Sequence, residues 1–116
     1  MRGVTNFQLQ NLLAELEGKA RESKLWKRVV KDLKKPSRQR RKVNLYKIAQ
    51  YAKEGETVLV AGKVLSVGVV DKPLSVAAVN FSQEARRKIT EAKGKTMTIK
   101  ELLQANPEGK KVRILG

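Results

Sequence analysis

The stretch TVLVAGKVLSVGVVDKPLSVAAVNFS, residues 57–82, decides the fold class of this chain. Residues 57–60 are rich in β-forming side chains, and a second short β segment over 63–65 follows a turn signal at 61–62. Residues 75–79 are small and mostly apolar, which is typical of a strand that is buried on both faces. The stretch therefore predicts three short strands, of which the last lies inside the protein.

Helices and a further strand are predicted after this stretch. Ser82 is a good N-cap for one helix. Thr98 and Glu101 have the spacing of a capping box at the start of another helix. Residues 112–115, VRIL, then predict a final strand.

Three amphipathic helices are predicted before the stretch. Apolar side chains recur with the 3.6-residue period over 9–20, 26–33 and 45–52. Pro36 cannot continue the second helix, and Asn44 is a good N-cap for the third. The N-terminal part of the chain is therefore predicted to be helical.

These segments together predict a single compact α/β domain over residues 1–116. Residues 1–53 form its helical, strongly basic part, and residues 54–116 form an α/β core in which the helices pack on the strands. No linker rich in Gly, Ser or Pro separates the two parts. Tyr46 and Tyr51 are expected to pack in the interior, because aromatic residues make up 4% of the chain, too few for a base-stacking platform.

The charge of the chain indicates a polyanionic partner. Lys and Arg number 26 against 11 Asp and Glu, a formal net charge of +15, and residues 24–53 contain 12 bases with a single acid. Nucleic acid is the commonest polyanion that such a field attracts. An anionic membrane is the weaker alternative, because no apolar stretch approaches the roughly 20 residues that span a bilayer. The N-terminus has no apolar run of signal-peptide type, so we expect an intracellular protein without a membrane partner.

The cations form a stripe on the second predicted helix and continue into the run KKPSRQRRK, residues 34–42. Arginine guanidinium groups bind phosphate oxygens in a bidentate manner, which favours nucleic-acid binding by this run. Lys63 is a further candidate for nucleic-acid binding, because a tight turn at Gly62 would present its side chain to a phosphate. The predicted RNA-binding residues are Lys27, Lys31, Lys34, Lys35, Arg38, Arg40, Arg41, Lys42 and Lys63. A solvated loop or a localisation signal is the alternative interpretation of the run, which does not by itself distinguish RNA from DNA.

The amino-acid composition excludes most catalytic mechanisms. The chain has no cysteine and no histidine, which excludes disulfides, thiolate zinc sites, Cys nucleophiles and His general bases. Gly62-Lys63 is not a P-loop, because Val64 follows where Ser or Thr is required. We therefore expect no enzyme, no cofactor and no small-molecule substrate.

Several short motifs along the chain together resemble those of a known protein family. They are Thr5-Asn6 with leucines at 9, 12 and 13, Val43-Asn44-Leu45, Gly62-Lys63-Val64-Leu65, Val76-Ala77-Ala78, Phe81-Ser82 and Asn106-Pro107-Glu108-Gly109. Over almost the whole chain they look like the large-subunit ribosomal protein family L-eighteen-e (L18e), in its short archaeal form. The central motifs are also similar to the bacterial large-subunit family L-fifteen. Ser66 is a departure, since many family members have Gly at this position.

The resemblance implies a fold of irregular β-β-α turns wound into a superhelix. It implies a structural constituent of the large ribosomal subunit, in the cytoplasm, that binds and stabilises large-subunit ribosomal RNA beside neighbouring ribosomal proteins. It implies no catalysis and no cofactor.

Two alternative functions remain when the residues alone are considered. A non-ribosomal architectural protein would bind duplex DNA as well as RNA at equal salt, and an RNA-processing enzyme would need the His, Cys or clustered carboxylates that this sequence lacks.

Overall fold

Five strands in the described part of the chain form a parallel sheet, and helices cover it. The structure, a computed structural model, describes residues 2–21, 23–35, 41–53 and 55–115, with side chains from residue 11 onward. The elements are α1 (Arg2–Ala20), α2 (Lys24–Leu33), β1 (Arg41–Asn44), α3 (Leu45–Tyr51), β2 (Thr57–Leu65), β3 (Ser75–Phe81), α4 (Gln83–Glu91), β4 (Lys95–Thr98), α5 (Ile99–Ala105) and β5 (Val112–Leu115). The predicted α/β class is confirmed, and the order β2-β3-α4 supplies a β-β-α unit of the kind that the resemblance implies.

β2 is the central strand of the sheet. It pairs with β3 along one side. Along its other side, residues 57–60 pair with β5 and residues 62–65 pair with β1. β4 extends the sheet beyond β3. Because neighbouring parallel strands are joined by crossover connections, the helices between them lie on the faces of the sheet.

The predicted turn at 61–62 is wrong, because β2 runs through both residues as one strand. The register between β2 and β3 shifts between Val60 and Lys63, so β2 holds one extra residue there, a β-bulge. Gly62 allows β1 to approach closely, since a Cβ at this position would lie 1.9 Å from the carbonyl oxygen of Arg41. Glycine in this strand therefore marks a close contact between two backbones and not a chain reversal.

Apolar side chains of the sheet alternate between two cores, one on each face. Val58 and Val60 belong to the core beneath α3 and α4, while Leu59 and Ala61 belong to the core beneath α1, α2 and α5. The buried residues 76–78 of β3 divide between the same two cores. This division confirms, for those three residues, the prediction of a strand buried on both faces.

Two strands lie where none was predicted. β1 interrupts the basic N-terminal part, so the expectation of a helical segment over 1–53 is wrong at 41–44. β4 has the sequence KTMT, which offers too little apolar alternation to indicate a strand, and it forms by pairing with β3. The final strand over 112–115 is confirmed.

The helix starts predicted in the C-terminal part are confirmed. The Ser82 hydroxyl accepts a hydrogen bond of 3.1 Å in the first turn of α4. Thr98 and Glu101 form both hydrogen bonds of a capping box. Asn44 precedes α3 as predicted, but its side-chain oxygen accepts from the backbone N–H of Val67 and not from α3. This side chain therefore connects α3 to the loop after β2.

The expectation that both tyrosines of α3 pack in the interior is wrong. α3 buries Leu45 and Ile48 against the sheet, whereas Tyr46 and Tyr51 are 55% and 45% exposed. The apolar stripe of this helix is filled by aliphatic residues at other positions of the helical period, which leaves both rings on the solvent side.

Candidate RNA interface

Helix α2 has an apolar face and a cationic face. Its apolar face, which is buried, consists of Trp26, Val29, Val30 and Leu33. The other face carries the exposed residues Lys24, Lys27, Arg28 and Lys31. Burial of each large apolar side chain contributes about 1.5–3 kcal/mol, so the packing of one face fixes the direction in which the cations point.

Trp26 attaches α2 to the C-terminal part of the chain. The residue is fully buried, and its indole N–H donates a hydrogen bond of 2.7 Å to the carbonyl oxygen of Pro107. Gly109, with a φ of +68°, belongs to the same turn, and a Cβ there would lie 2.3 Å from a methyl carbon of Leu25. The turn after α5 thus fits closely against α2 and holds the cationic helix in place.

The cationic face of α2 shares a shallow concavity with the first residue of β1. The concavity has a volume of about 550 Å³ and is lined by Lys24, Lys27, Arg28, Lys31, Asp32, Lys35 and Arg41. Four of the nine predicted RNA-binding residues therefore lie together: Lys27 and Lys31 of α2, Lys35 just after it, and Arg41 of β1. A polyanion lying in this concavity would meet cations from both elements.

Lys24 and Arg28 belong to this concavity but were not among the predicted RNA-binding residues. The sequence itself indicates them, because Lys24 stands three residues before Lys27, and Arg28 three residues before Lys31, on the same helix. Side chains at this spacing are neighbours on one helical face. The cationic stripe therefore extends to Lys24, the first residue of α2.

Two of the predicted residues form ion pairs with the chain's own acids. The Lys34 ammonium lies 3.1 Å from a carboxylate oxygen of Glu17, and the Lys35 ammonium lies 3.6 Å from one of Asp32. Asp32 also lies 4.0 Å from the Arg28 guanidinium. The Lys34–Glu17 pair is exposed on both sides, and such pairs contribute at most about 1 kcal/mol, so a phosphate competes for Lys34 at little cost. The Asp32 side chain is only 13% exposed, so its pairs with Lys35 and Arg28 are more shielded from solvent.

Other predicted residues have no such acid beside them. Among the described residues, no carboxylate oxygen lies within 4.0 Å of the charged groups of Lys27, Lys31, Arg41, Lys42 or Lys63. Arg38 and Arg40 fall in the segment 36–40 and lie outside the described residues. The cationic charge of α2 and β1 is therefore only partly neutralised by the protein itself.

Lys42 and Lys63 stand side by side on adjacent strands. They are register partners in the β1–β2 pair, and both are exposed. The next pair along, Val43 and Val64, is buried beneath α3 and α4, so the lysines project from the opposite face of the sheet. Like charges at neighbouring positions destabilise a sheet, and an anion bound between them would offset that repulsion. The predicted presentation of Lys63 by a glycine turn is wrong, because a strand presents it.

A second basic cluster, on α4, uses its charges within the protein. The Arg87 guanidinium lies 2.6 Å from Glu84 and 2.9 Å from Glu91. The hydrogen bond and charge of Arg87 lower the pKa of the Glu84 carboxyl, and the two carboxylates raise the pKa of Arg87. The Lys88 ammonium donates to two carbonyl oxygens of the loop over 66–68, at 2.8 and 3.0 Å. Arg87 is thus neutralised within α4 and is not assigned to RNA, whereas Lys88 keeps its charge and holds the loop.

Two further observations concern the described residues only. None of their helices has both the length and the apolar character needed to cross a membrane. They also include no group of three or more Asp or Glu side chains placed to hold a metal ion.

A comparison with protein families matches residues 7–116 to the family described as "Ribosomal protein 60S L18 and 50S L18e". The chain belongs to this family. The matched residues include all of α2, β1 and β2, and also each of the nine predicted RNA-binding residues. The family is one of structural ribosomal proteins, which is not a class of enzyme.

Similar proteins from archaea bear the name large ribosomal subunit protein eL18. That of Methanoregula boonei is 48% identical over 113 residues, which cover 96% of this chain and 93% of the relative. That of Methanopyrus kandleri is 46% identical, covering 97% and 94%. That of Sulfurisphaera tokodaii is 40% identical, again covering 97% and 94%. The resemblance to L18e in its short archaeal form is thereby confirmed.

Proposed function

We propose that this chain is a structural constituent of the large ribosomal subunit, located in the cytoplasm, that binds and stabilises large-subunit ribosomal RNA. Its partners are this RNA and neighbouring ribosomal proteins, and it carries out no catalysis and uses no cofactor. Membership in the L18/L18e family supports the proposal. The observation that carries it is the concavity in which the cationic face of α2 meets Arg41, where no carboxylate oxygen of the described residues lies within 4.0 Å of the Lys27 or Lys31 ammonium.

The proposed mechanism is adhesion between RNA segments that would otherwise repel one another. The sheet and the turn after α5 hold α2 rigidly, so its cations are already oriented before RNA binds. Each phosphate that a lysine or arginine neutralises releases condensed counterions, which favours binding and makes it dependent on salt. Contacts to phosphates and to the shape of the RNA helix dominate, as is usual for duplex RNA. We propose that residues 1–116 act as one domain in this role.

The test compares two variants that remove the same number of charges. Lys27→Gln with Lys31→Gln removes cations from the concavity, and Lys93→Gln with Lys95→Gln removes exposed cations near β4, at the other edge of the sheet. Binding to purified archaeal large-subunit ribosomal RNA is measured over a range of KCl concentrations. The first variant should bind more weakly, with the slope of log affinity against log salt reduced by about 1.5. The second should keep the wild-type slope.

Three results would contradict the proposal. Equal slopes for both variants would mean that the concavity does not contact phosphates. Equal affinity for duplex DNA and for ribosomal RNA at the same salt would favour the architectural alternative. Endogenous protein that sediments apart from large subunits would place its function elsewhere.

A further inference from the structure

An exposed apolar patch lies on the face of the sheet opposite α2. It consists of Tyr46 of α3 with Val67 and Val69 of the loop between β2 and β3, which we call the Tyr46 patch. These side chains are 55%, 62% and 79% exposed. Neighbouring large apolar residues that remain exposed together are a feature of binding surfaces. The RNA interface proposed above does not use this patch.

The loop that carries the valines is held firmly by hydrogen bonds. The backbone N–H of Tyr46 donates to the carbonyl oxygen of Val67 at 3.0 Å, and the backbone N–H of Val67 donates to the side-chain oxygen of Asn44 at 3.3 Å. The Lys88 ammonium donates to the carbonyl oxygens on both sides of Val67. Four hydrogen bonds thus fix the backbone beneath side chains that contribute little to the core.

Gly68 lets the loop lie directly on α3. Its φ is +122°, and a Cβ at this position would lie 2.4 Å from the backbone nitrogen of Tyr46. The loop and the tyrosine therefore form one rigid unit. A surface that is fixed before binding loses little conformational entropy when a ligand docks on it.

The surroundings of the patch are cationic. Lys47 follows Tyr46 in α3 and is exposed, and the Lys88 ammonium lies directly behind the loop. Among the described residues, no carboxylate oxygen lies within 4.0 Å of either ammonium. Glu91 lines a concavity beside Val69 and Lys88, but its carboxylate pairs with Arg87. Asp71 follows the loop at its far end. The ligand that fits is therefore one with an apolar face and a negative charge, and a nucleotide has both.

We propose that the Tyr46 patch binds one unpaired base of RNA, with the Tyr46 ring stacked on the base and the valine methyl groups packed at its edge. The proposal rests on the proposed function, since it assumes that the chain binds ribosomal RNA. RNA-binding proteins hold unstacked bases on aromatic rings in this way, and such stacking is insensitive to salt because no ion is released. With α2 on one face and this patch on the other, the protein bridges two RNA segments.

The experiment compares Tyr46→Ala, Tyr46→Phe and Tyr51→Ala on purified archaeal large-subunit ribosomal RNA over a range of KCl concentrations. Tyr51 is the matched control, because it lies on the same helix and is exposed to a similar degree. Tyr46→Ala should lower affinity about 10-fold at every salt concentration, leaving the salt slope unchanged. Tyr46→Phe keeps the ring and should bind like wild type, as should Tyr51→Ala. Val69→Ser should also weaken binding, and because Val69 is the most exposed of these residues, its unfolding transition should not move.

Each other result overturns the base-stacking proposal. Wild-type affinity of Tyr46→Ala would mean that no base stacks there. A reduced salt slope in that variant would mean that the patch acts through phosphate contacts. Normal RNA binding with loss of incorporation into subunits would mean that a ribosomal protein covers the patch. These results differ from a failure of the proposed function, in which the wild-type chain itself would not bind ribosomal RNA.

Discussion

Gly62 connects the fold to the candidate RNA interface, because it lies where β1 and β2 approach each other. Its register partner, Arg41, lines the concavity, and the next pair along the two strands is Lys42 with Lys63. A side chain at position 62 would push β1 away from β2 and displace these cations. The residue type was recognised as significant from the sequence, but its role was not. A single sequence does not distinguish a glycine that permits close backbone contact from a glycine that permits a turn.

Gly62→Ala should therefore lower both stability and RNA binding. Its Cβ would overlap the carbonyl group of Arg41, and overpacking of this kind costs about 1–3 kcal/mol in the free energy of unfolding. Urea denaturation followed by circular dichroism measures this change. Gly18→Ala is the control, because Gly18 lies within α1 and a Cβ there meets no atom within 4 Å. That variant should gain about 0.5–1 kcal/mol. A Gly62→Ala protein as stable as wild type would contradict the close contact.

At the level of elements, helices were easier to predict than strands. α2, α4 and α5 carry their own signals, namely an apolar period or a capping side chain within a few residues. β1 and β4 carry weak signals, because each forms through pairing with a strand distant in sequence. The expectation for Tyr46 is wrong for a different reason. The apolar period over 45–52 already gives the buried stripe of α3, with Leu45 and Ile48 on it and Tyr46 off it. The expectation for Tyr46 rests on the low aromatic content of the chain and not on the position of the residue in that period.

Substitutions of Trp26 test how α2 is held against the rest of the protein. Trp26→Ala should lower the free energy of unfolding by about 3–5 kcal/mol, because a large buried ring is lost. Trp26→Phe keeps most of the ring but loses the hydrogen bond to Pro107, which should cost about 1 kcal/mol. Urea denaturation gives both values, and hydrogen exchange should show faster opening of α2 amides in both variants. If Trp26→Phe matched wild type in both measurements, the hydrogen bond to the turn after α5 would have no role in holding the helix.

For the whole molecule, the sequence indicates which residue types the candidate RNA interface contains but not how they come together. The excess of cations over 24–53 was visible in the composition of that segment. The meeting of Arg41 with α2, and of Lys42 with Lys63, depends on pairing between β1 and β2, whose partners are 21 residues apart. The ion pairs of Lys34 and Lys35 likewise depend on tertiary structure and helical geometry. Net charge is thus predictable from composition, whereas its arrangement is a property of the fold.

The uneven charge predicts that salt has opposite effects on the free protein and on its complex. A net charge of +15 destabilises the compact state by self-repulsion, and salt screens exposed charges beyond a Debye length of about 10 Å at 0.1 M. Raising KCl from about 0.05 to 0.5 M should therefore raise the melting temperature of the free chain while weakening its binding to ribosomal RNA. Lys27→Gln with Lys31→Gln should reduce both responses, because these cations contribute to the repulsion and to the phosphate contacts. Differential scanning calorimetry and RNA binding on the same samples measure the two effects. A melting temperature that falls with salt would show that attractive ion pairs, such as those of Arg87, outweigh the repulsion among the cations.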